Sequence, residues 1–324
     1  MDTIETSFGT VSGIADRTTY ASGAIKSCRV AVENRLQSPV GELVPLYQMA
    51  ALGERQKKDR RSLGFFESGK IKSVALDCAM PVRTPLGVFK AEAVSFYEDG
   101  AINRLFPLNC QIDGYWSERN EGALAERLDF DLPVGRFSAK IISLHFYPSG
   151  ALKSLTLWPG ERITLQTPLG PMRIRTGFSL YEDGAVRSVE PAGVEALATP
   201  VGVVKAFDAE AVGMNADQNS VQFSPTGRLI SVKTIHTGLR VLVTGEAERR
   251  IEPWETASLI DDVGRRTVPM LIEFGECSIK VVAERTHRFE QGKSSITTFN
   301  RDRVIREACS SCAGCESGAS CCQH

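Results

Sequence analysis

Histidine is scarce in this chain of 324 residues, at four, and net charge is all but absent: 38 Lys and Arg stand against 39 Asp and Glu, leaving −1. So even a balance supplies no global field to draw in nucleic acid or an anionic lipid surface. Neither is expected as a partner. No apolar run approaches the roughly 20 residues that a bilayer-spanning helix requires, which argues against a membrane protein of the helical kind. The N-terminus, Met1-Asp2-Thr3-Ile4-Glu5-Thr6, is acidic where a secretory signal is basic, and no apolar core follows it. A cytoplasmic protein is the expectation. Catalytic signatures are missing too. The chain has no complete phosphate-cradling loop ending in Gly-Lys-Ser/Thr, no Gly-x-Ser-x-Gly elbow and no His-Glu-x-x-His. His145, His236 and His287 lie in strand-like alternation and read as packed or edge histidines rather than catalytic bases.

Cysteine is sparse until the end. Cys28, Cys78, Cys110 and Cys277 are scattered among apolar residues, where free cysteine is expected to act as a small core hydrophobe. The other five of the nine, Cys309, Cys312, Cys315, Cys321 and Cys322, crowd the last sixteen residues. In a reducing compartment such crowding points to metal or redox chemistry rather than a disulfide framework.

The body of the chain is a repeat. One phrase recurs six times: an aromatic or apolar pair, a Ser/Asp/Thr–Gly step, an apolar residue, usually a base, usually a serine. Phe96-Tyr97-Glu98-Asp99-Gly100-Ala101-Ile102 and Phe146-Tyr147-Pro148-Ser149-Gly150-Ala151-Leu152 are typical; the six glycines are Gly23, Gly69, Gly100, Gly150, Gly184 and Gly227. A type I turn closed by a left-handed residue demands glycine at that place, and the Ser or Asp before it bonds locally to backbone. Pro148 and Pro225 sit where a fixed φ suits the turn. A second element, Ser/Thr/Leu-Pro-x-Gly, precedes most hairpins at Ser38–Gly41, Thr84–Gly87, Leu132–Gly135, Thr167–Gly170 and Thr199–Gly202, with Ser7-Phe8-Gly9 as a degenerate first copy. Strands linked by such short connections can only be antiparallel.

The phrase resembles the variant MORN repeat, over about ten residues per copy. The resemblance implies an elongated sheet of stacked hairpins used as a scaffold, and it implies no catalytic residues.

Three insertions interrupt the meander. Leu46–Leu63 carries the basic run Arg55–Arg61, expected as a solvated segment or a site for an acidic partner. Ser117–Leu128 is predicted helical, with Ser117 as N-cap and Leu124 and Leu128 on one face. Asp208–Asn219 lacks the spacing of a calcium loop and reads as a plain polar loop.

In the tail, small residues separate Cys309, Cys312 and Cys315, so that thiolates three apart can turn toward one centre, and Arg301, Arg303 and Arg306 upstream favour thiolate over thiol. The run resembles the Cys-x-x-Cys-x-x-Cys of bacterial-type ferredoxins, which implies an iron–sulfur cluster. It departs from that family in having five residues and no proline around its next cysteine, Cys321. Zinc is the alternative, with Cys321, Cys322 and His324 available to complete a set of four.

The expectation is therefore an all-β fold: an antiparallel meander of six hairpin repeats in an elongated or curved sheet, with one short inserted helix and a cysteine-rich tail. Residues 1–232 form the repeat domain, 233–300 a small β domain or cap, and 301–324 the metal-binding tail. The expected role is a metal- or iron–sulfur-binding scaffold, an accessory factor in interaction, metal handling or electron transfer, that meets protein partners through its sheet. The alternative is a redox enzyme using a cluster held by the same cysteines.

Overall fold

The computed structural model describes residues 3–51, 53–58, 61–209, 211, 216–257 and 265–301. Strand dominates, and the strands are antiparallel throughout the main sheet. That sheet has 16 strands, fifteen of them on one continuous path from Ile14–Thr19 at one edge to Thr286–Glu290 at the other. At the usual spacing between paired strands the path extends over roughly 70 Å.

All six phrases close in the same way. The backbone N–H of the second residue, Tyr20, Phe66, Tyr97, Tyr147, Tyr181 or Ser224, donates to a carbonyl four residues on at 2.8 Å. The glycine donates back across the turn at 2.9–3.0 Å, and its φ lies between 80° and 94°. Asp99 and Asp183 each accept from the amide two residues on, at 2.9 Å, as the turn chemistry requires.

In every copy the strand register slips by one residue just after the turn. The extra residue is the one that is usually a base: Lys26, Lys72, Asn103, Lys153, Arg187 or Ile230. A bulge turns that side chain onto the face of the preceding tyrosine or phenylalanine. Lys26, Lys72, Lys153 and Arg187 accordingly stand 5.5–5.8 Å from the ring centres of Tyr20, Phe66, Tyr147 and Tyr181. The tyrosine hydroxyls reach across to the next hairpin. Tyr20 donates to the carbonyl of Phe65 at 2.8 Å, Tyr97 to Phe146 at 2.8 Å, Tyr147 to Leu180 at 3.0 Å and Tyr181 to Phe223 at 2.8 Å. Four of the six repeats are thus stitched to their successors. Phe66 has no hydroxyl and leaves one rung out.

The first aromatic of the phrase points the other way, into the core. Phe65, Phe96, Phe146 and Phe223 are fully buried. Their cover is the set of Pro-x-Gly ribbons, which form a second layer under the sheet. Phe8, Val40, Val134 and Val201 from the ribbon turns are buried in the same core, and Phe8 meets Phe96 edge-on at 5.1 Å. In five of the six ribbon turns a Ser or Thr hydroxyl donates to the glycine carbonyl, from Thr6, Ser38, Thr84, Thr167 and Thr199 at 2.6–2.9 Å. Successive ribbons are tied in places by backbone bonds, Gln37 N–H to Phe8 and Arg83 N–H to Val40.

The strands beyond residue 232 extend the same sheet. Met270–Phe274 pairs with Leu229–Thr234, and Ser278–Val282 and Thr286–Glu290 follow in order. Of the remaining strands there, Thr237–Val243, Arg249–Ile251 and Ser294–Asn300 make a separate three-stranded sheet, and Trp254–Ala257 pairs with Arg265–Val268.

The inserted helix is shorter than predicted. It runs Glu118–Leu124, with Ser117 as N-cap accepting from the amide of Asn120. Leu128 opens a strand instead of sharing a helix face with Leu124, and Leu124 is half exposed. What the helix buries is Glu121. The cause is electrostatic. Arg55 donates to Glu121 at 2.5 and 2.6 Å and to Glu92 at 2.7 and 2.9 Å, Lys57 pairs with Glu92 at 3.0 Å, and the Trp116 indole donates to Glu121 at 2.8 Å. The predicted solvated run thus gives its first two bases to acids of its own chain.

Candidate functional site

On the face away from the core, cross-strand register lines up a single row of residues. Thr18, Ser27, Gly64, Ser73, Ser95, Arg104, His145, Ser154, Ser179, Ser188, Gln222 and Ser231 stand opposite one another, strand by strand. Hydroxyls pair along it, Thr18 with Ser27 at 2.7 Å and Ser179 with Ser188 at 2.6 Å. Arg104 is the break in the pattern: it occupies the place where the five other copies carry serine.

The break faces the third insertion. Asp217 lies over the row and accepts from Arg104 at 2.8 Å and from the Ser154 hydroxyl at 2.6 Å, with His145 Nδ1 at 3.0 Å. Nearby, Asn219 donates to Ser188 at 2.8 Å, and the Ala216 amide donates to Thr156 at 3.2 Å. The backbone makes room for this cover at Gly177, whose φ is +143°; a Cβ there would stand 2.1 Å from the Leu155 carbonyl oxygen and 2.7 Å from Ala216 Cβ. Burial alone would raise the Asp217 carboxyl. Hydrogen bonds from His145 and Ser154, with the charges of His145 and Arg104, outweigh it and hold the group well below the usual carboxylate range.

A second buried acid lies beside this one. Glu190 is fully enclosed, accepts from the Ser220 amide at 2.8 Å and from its hydroxyl at 2.9 Å, and has Arg175 at 3.9 Å. Burial wins here and pushes the carboxyl up to about 7, against the pull of Ser220 and Arg175.

The order of groups determines what the first cluster can do. A nucleophilic triad needs imidazole between hydroxyl and carboxylate, so that the base takes the hydroxyl proton. Here the carboxylate lies between, and Ser154 and His145 share one oxygen of Asp217. A carboxylate held so far below its normal range is a poor base for a serine. The arrangement instead neutralises charge and ties the insertion to the sheet.

Comparisons with protein families, curated proteins and solved structures find nothing that matches this chain. Its site is therefore read from its own geometry. Among the described residues no helix is long and apolar enough to cross a membrane, and no group of three or more His, Cys, Asp and Glu is set to hold a metal.

The predicted ligands Cys309, Cys312, Cys315, Cys321, Cys322 and His324 lie outside the described residues. The four scattered cysteines divide. Cys28 is buried, and burial pushes its thiol up to about 11. Cys110 is partly buried, and burial with the nearby Glu121 raises it to about 12. Cys78 and Cys277 are exposed, contrary to the core reading. Cys78 lies where the strand Ile71–Thr84 changes register against its neighbour between Ala75 and Met80, and Cys277 lies in the tight link before Ser278. Of the other histidines, His287 is on an edge strand, stacked with Phe289. His236 stands 5.9 Å from the Phe207 ring; burial, then Lys205 and Arg301, lower its pKa. Reading the sequence placed Asp217 and Asn219 in a plain polar loop and passed over Glu190; the signal for Asp217 was Arg104 standing in a serine's place.

Proposed function

We propose that this chain is a hairpin-repeat scaffold that meets protein partners through its sheet and binds a soft metal or iron–sulfur cluster in its C-terminal segment. Cys309, Cys312, Cys315 and Cys321 are the ligands in this reading, with Cys322 or His324 as an alternate. The observation that carries it is the placement of five of nine cysteines in the last sixteen residues. Small neighbours leave those thiols nothing to pack against, so ligation explains the crowding better than a core does. A reducing cytoplasm, where free thiolates persist, is the matching compartment. Among the described residues the core runs from Phe8 to Phe289, which supports a scaffold with a core of its own.

The test is anaerobic purification and reconstitution of the full chain beside a truncation before Cys309. The full chain should take up metal; the truncation should take up none and keep the β circular-dichroism spectrum and melting temperature. Brown, air-sensitive protein identifies an iron–sulfur cluster, and colourless protein with about one zinc per chain a structural zinc site. Equal metal content in the two chains, or none in either, overturns the reading.

A further inference from the structure

We propose that the strand Ser294–Asn300 is a docking edge, where an extended acidic segment of a partner protein adds itself as a fourth strand to the three-stranded sheet and sets its carboxylates beside Arg240 and Arg250. This deepens the scaffold reading above, on which the partner's being a protein rests, and it does not involve the metal.

The edge itself is unprotected. Ser294–Asn300 pairs with Thr237–Val243 through seven consecutive residue pairs without a slip, and among the described residues no strand lies on its other side. Sheet edges are normally blunted by charges, proline, bulges or shortness. The other edges of the two larger sheets follow that rule: Ile14–Thr19 carries Asp16, Arg17 and a register slip, Thr286–Glu290 carries Arg288 and Glu290, and Arg249–Ile251 is three residues long with two arginines. Ser294–Asn300 has no charge, no proline and no bulge, and Ile296, Thr297, Thr298 and Phe299 favour a strand. Its backbone is aimed for pairing. The Arg301 amide bonds the His236 carbonyl and the Thr244 amide bonds the Lys293 carbonyl, so the odd-numbered residues turn inward. The alternation of an antiparallel ladder then leaves the amides of Ile296, Thr298 and Asn300 facing out. Ile296 packs against the core and Thr298 lies against Gly202, which holds the edge in place for a partner.

Charge selects the occupant. On the exposed face Arg240 stands directly opposite Arg250, a like-charged pairing that destabilises a sheet. Both guanidiniums rest on the Phe299 ring, at 5.5 and 4.5 Å from its centre, and that ring lies across Gly238, where a Cβ would collide with it. Glu252 is shared by Arg250 at 3.4 Å and Arg301 at 3.2 Å, while no ion pair reaches Arg240 among the described residues. A strand added at this edge presents alternate side chains to that face, beside Thr297 and Phe299. Acidic residues there meet the two arginines. A second copy of this strand brings no anion, and nucleic acid, held by its phosphates, leaves the edge amides unpaired.

The test titrates the full chain with the fluorescein-labelled peptide Thr-Glu-Thr-Glu-Thr-Glu-Thr and with its counterpart carrying Gln for Glu. The Glu peptide should bind about 5- to 30-fold more tightly, as two exposed ion pairs allow, and the double variant Arg240→Gln, Arg250→Gln should remove that margin. N-methylation of one alternate set of peptide amides should abolish binding and of the other set leave it, because only one set faces the protein in a strand pair. That arm needs no protein variant, so misfolding has no part in it. With the peptide at about ten times its Kd, the amides of Ile296, Thr298 and Asn300 should exchange about tenfold more slowly, and those of Ile14–Thr19 should not change. Binding indifferent to both methylated sets, or equal for the Glu and Gln peptides, overturns the proposal and leaves the scaffold reading standing with its partner met elsewhere. Edge amides already protected in the chain without peptide, covered by a second copy or by its own C-terminal segment, overturn it too, as does tighter binding of a short oligothymidylate than of the Glu peptide. A chain that binds neither peptide overturns both.

Discussion

Replacing Asp217 by alanine removes, in one step, the acceptor shared by Arg104, His145 and Ser154. Breaking a fully buried ion pair from one side costs about 3–5 kcal/mol. The Arg104 and Asp217 side chains keep about a fifth of their surface, 21% and 22%, so water recovers part of that and the expected loss is about 2–3 kcal/mol. The protein is long and repetitive, so global unfolding need not be two-state. Native-state hydrogen exchange is the better assay, because it reads local opening. The amides of Ala216 and Ser220, bonded to Thr156 and Glu190, should exchange roughly 30- to 150-fold faster in the variant. Amides of the first hairpin, between Ile14 and Val30, should not change. Asp217→Asn keeps an acceptor without the charge and should fall between. The pH dependence follows from sign. Because the folded carboxyl is depressed, its contribution is fully present above the ordinary carboxylate pKa and is lost as pH falls through the folded value. The gap between parent and alanine variant should therefore hold from pH 5 to 8 and close only in strong acid. Unchanged protection of Ala216 and Ser220 in Asp217→Ala would refute the account of the cluster as a tie.

Two further outcomes follow from the same contacts. Glu190 titrates near 7 when folded and near 4.5 as a free group; between those values the folded chain holds the extra proton, so this residue's contribution to stability declines as pH rises from about 4.5 to 7. Glu190→Gln cannot ionise, so denaturant titrations should show it gaining on the parent by about 1–3 kcal/mol between pH 5 and 8, and a constant difference would contradict the buried-acid reading. Phe66→Tyr should supply the missing rung to the next hairpin and raise stability by about 1 kcal/mol; a thermal or denaturant midpoint at or below the parent's would show that this copy is not equivalent to the others.

The hairpins were legible because their chemistry is local. A left-handed glycine, a Ser, Asp or Thr before it and at least one aromatic at the start of the phrase all lie within ten residues, and six copies agree. The one helix was legible at its start for the same reason, since Ser117 caps it through a bond three residues long. Its end was not, because the residue it buries, Glu121, answers to Arg55, 66 positions earlier. The basic run was misread on the same ground. Nothing near Arg55 in sequence announces that Glu92 and Glu121 neutralise it. The bulge is an intermediate case. A base at one fixed place of the phrase was visible, but only the slipped register explains why it shares a face with the tyrosine before it.

Asp217 was hidden for a reason specific to repeats, and that reason also shows how to find such residues. Its partners lie 113, 72 and 63 positions away on three different strands, so no local pattern marks it. Yet in a repeat the other copies define what the hairpin itself requires. Serine at the row position satisfies the fold in the copies holding Ser27, Ser73, Ser154, Ser188 and Ser231. Arginine at 104 therefore cannot be there for the hairpin and must answer to something outside it. A cation placed on a row of neutral hydroxyls, in a partly buried setting, needs an anion. Only a segment crossing the sheet could supply one, because the row's immediate neighbours here, Ser95 and His145, carry no carboxylate. The acidic insertion Asp208–Asn219 was then the place to look. Phe66 among the tyrosines is a departure of the same kind, and the missing rung beside it is what it costs.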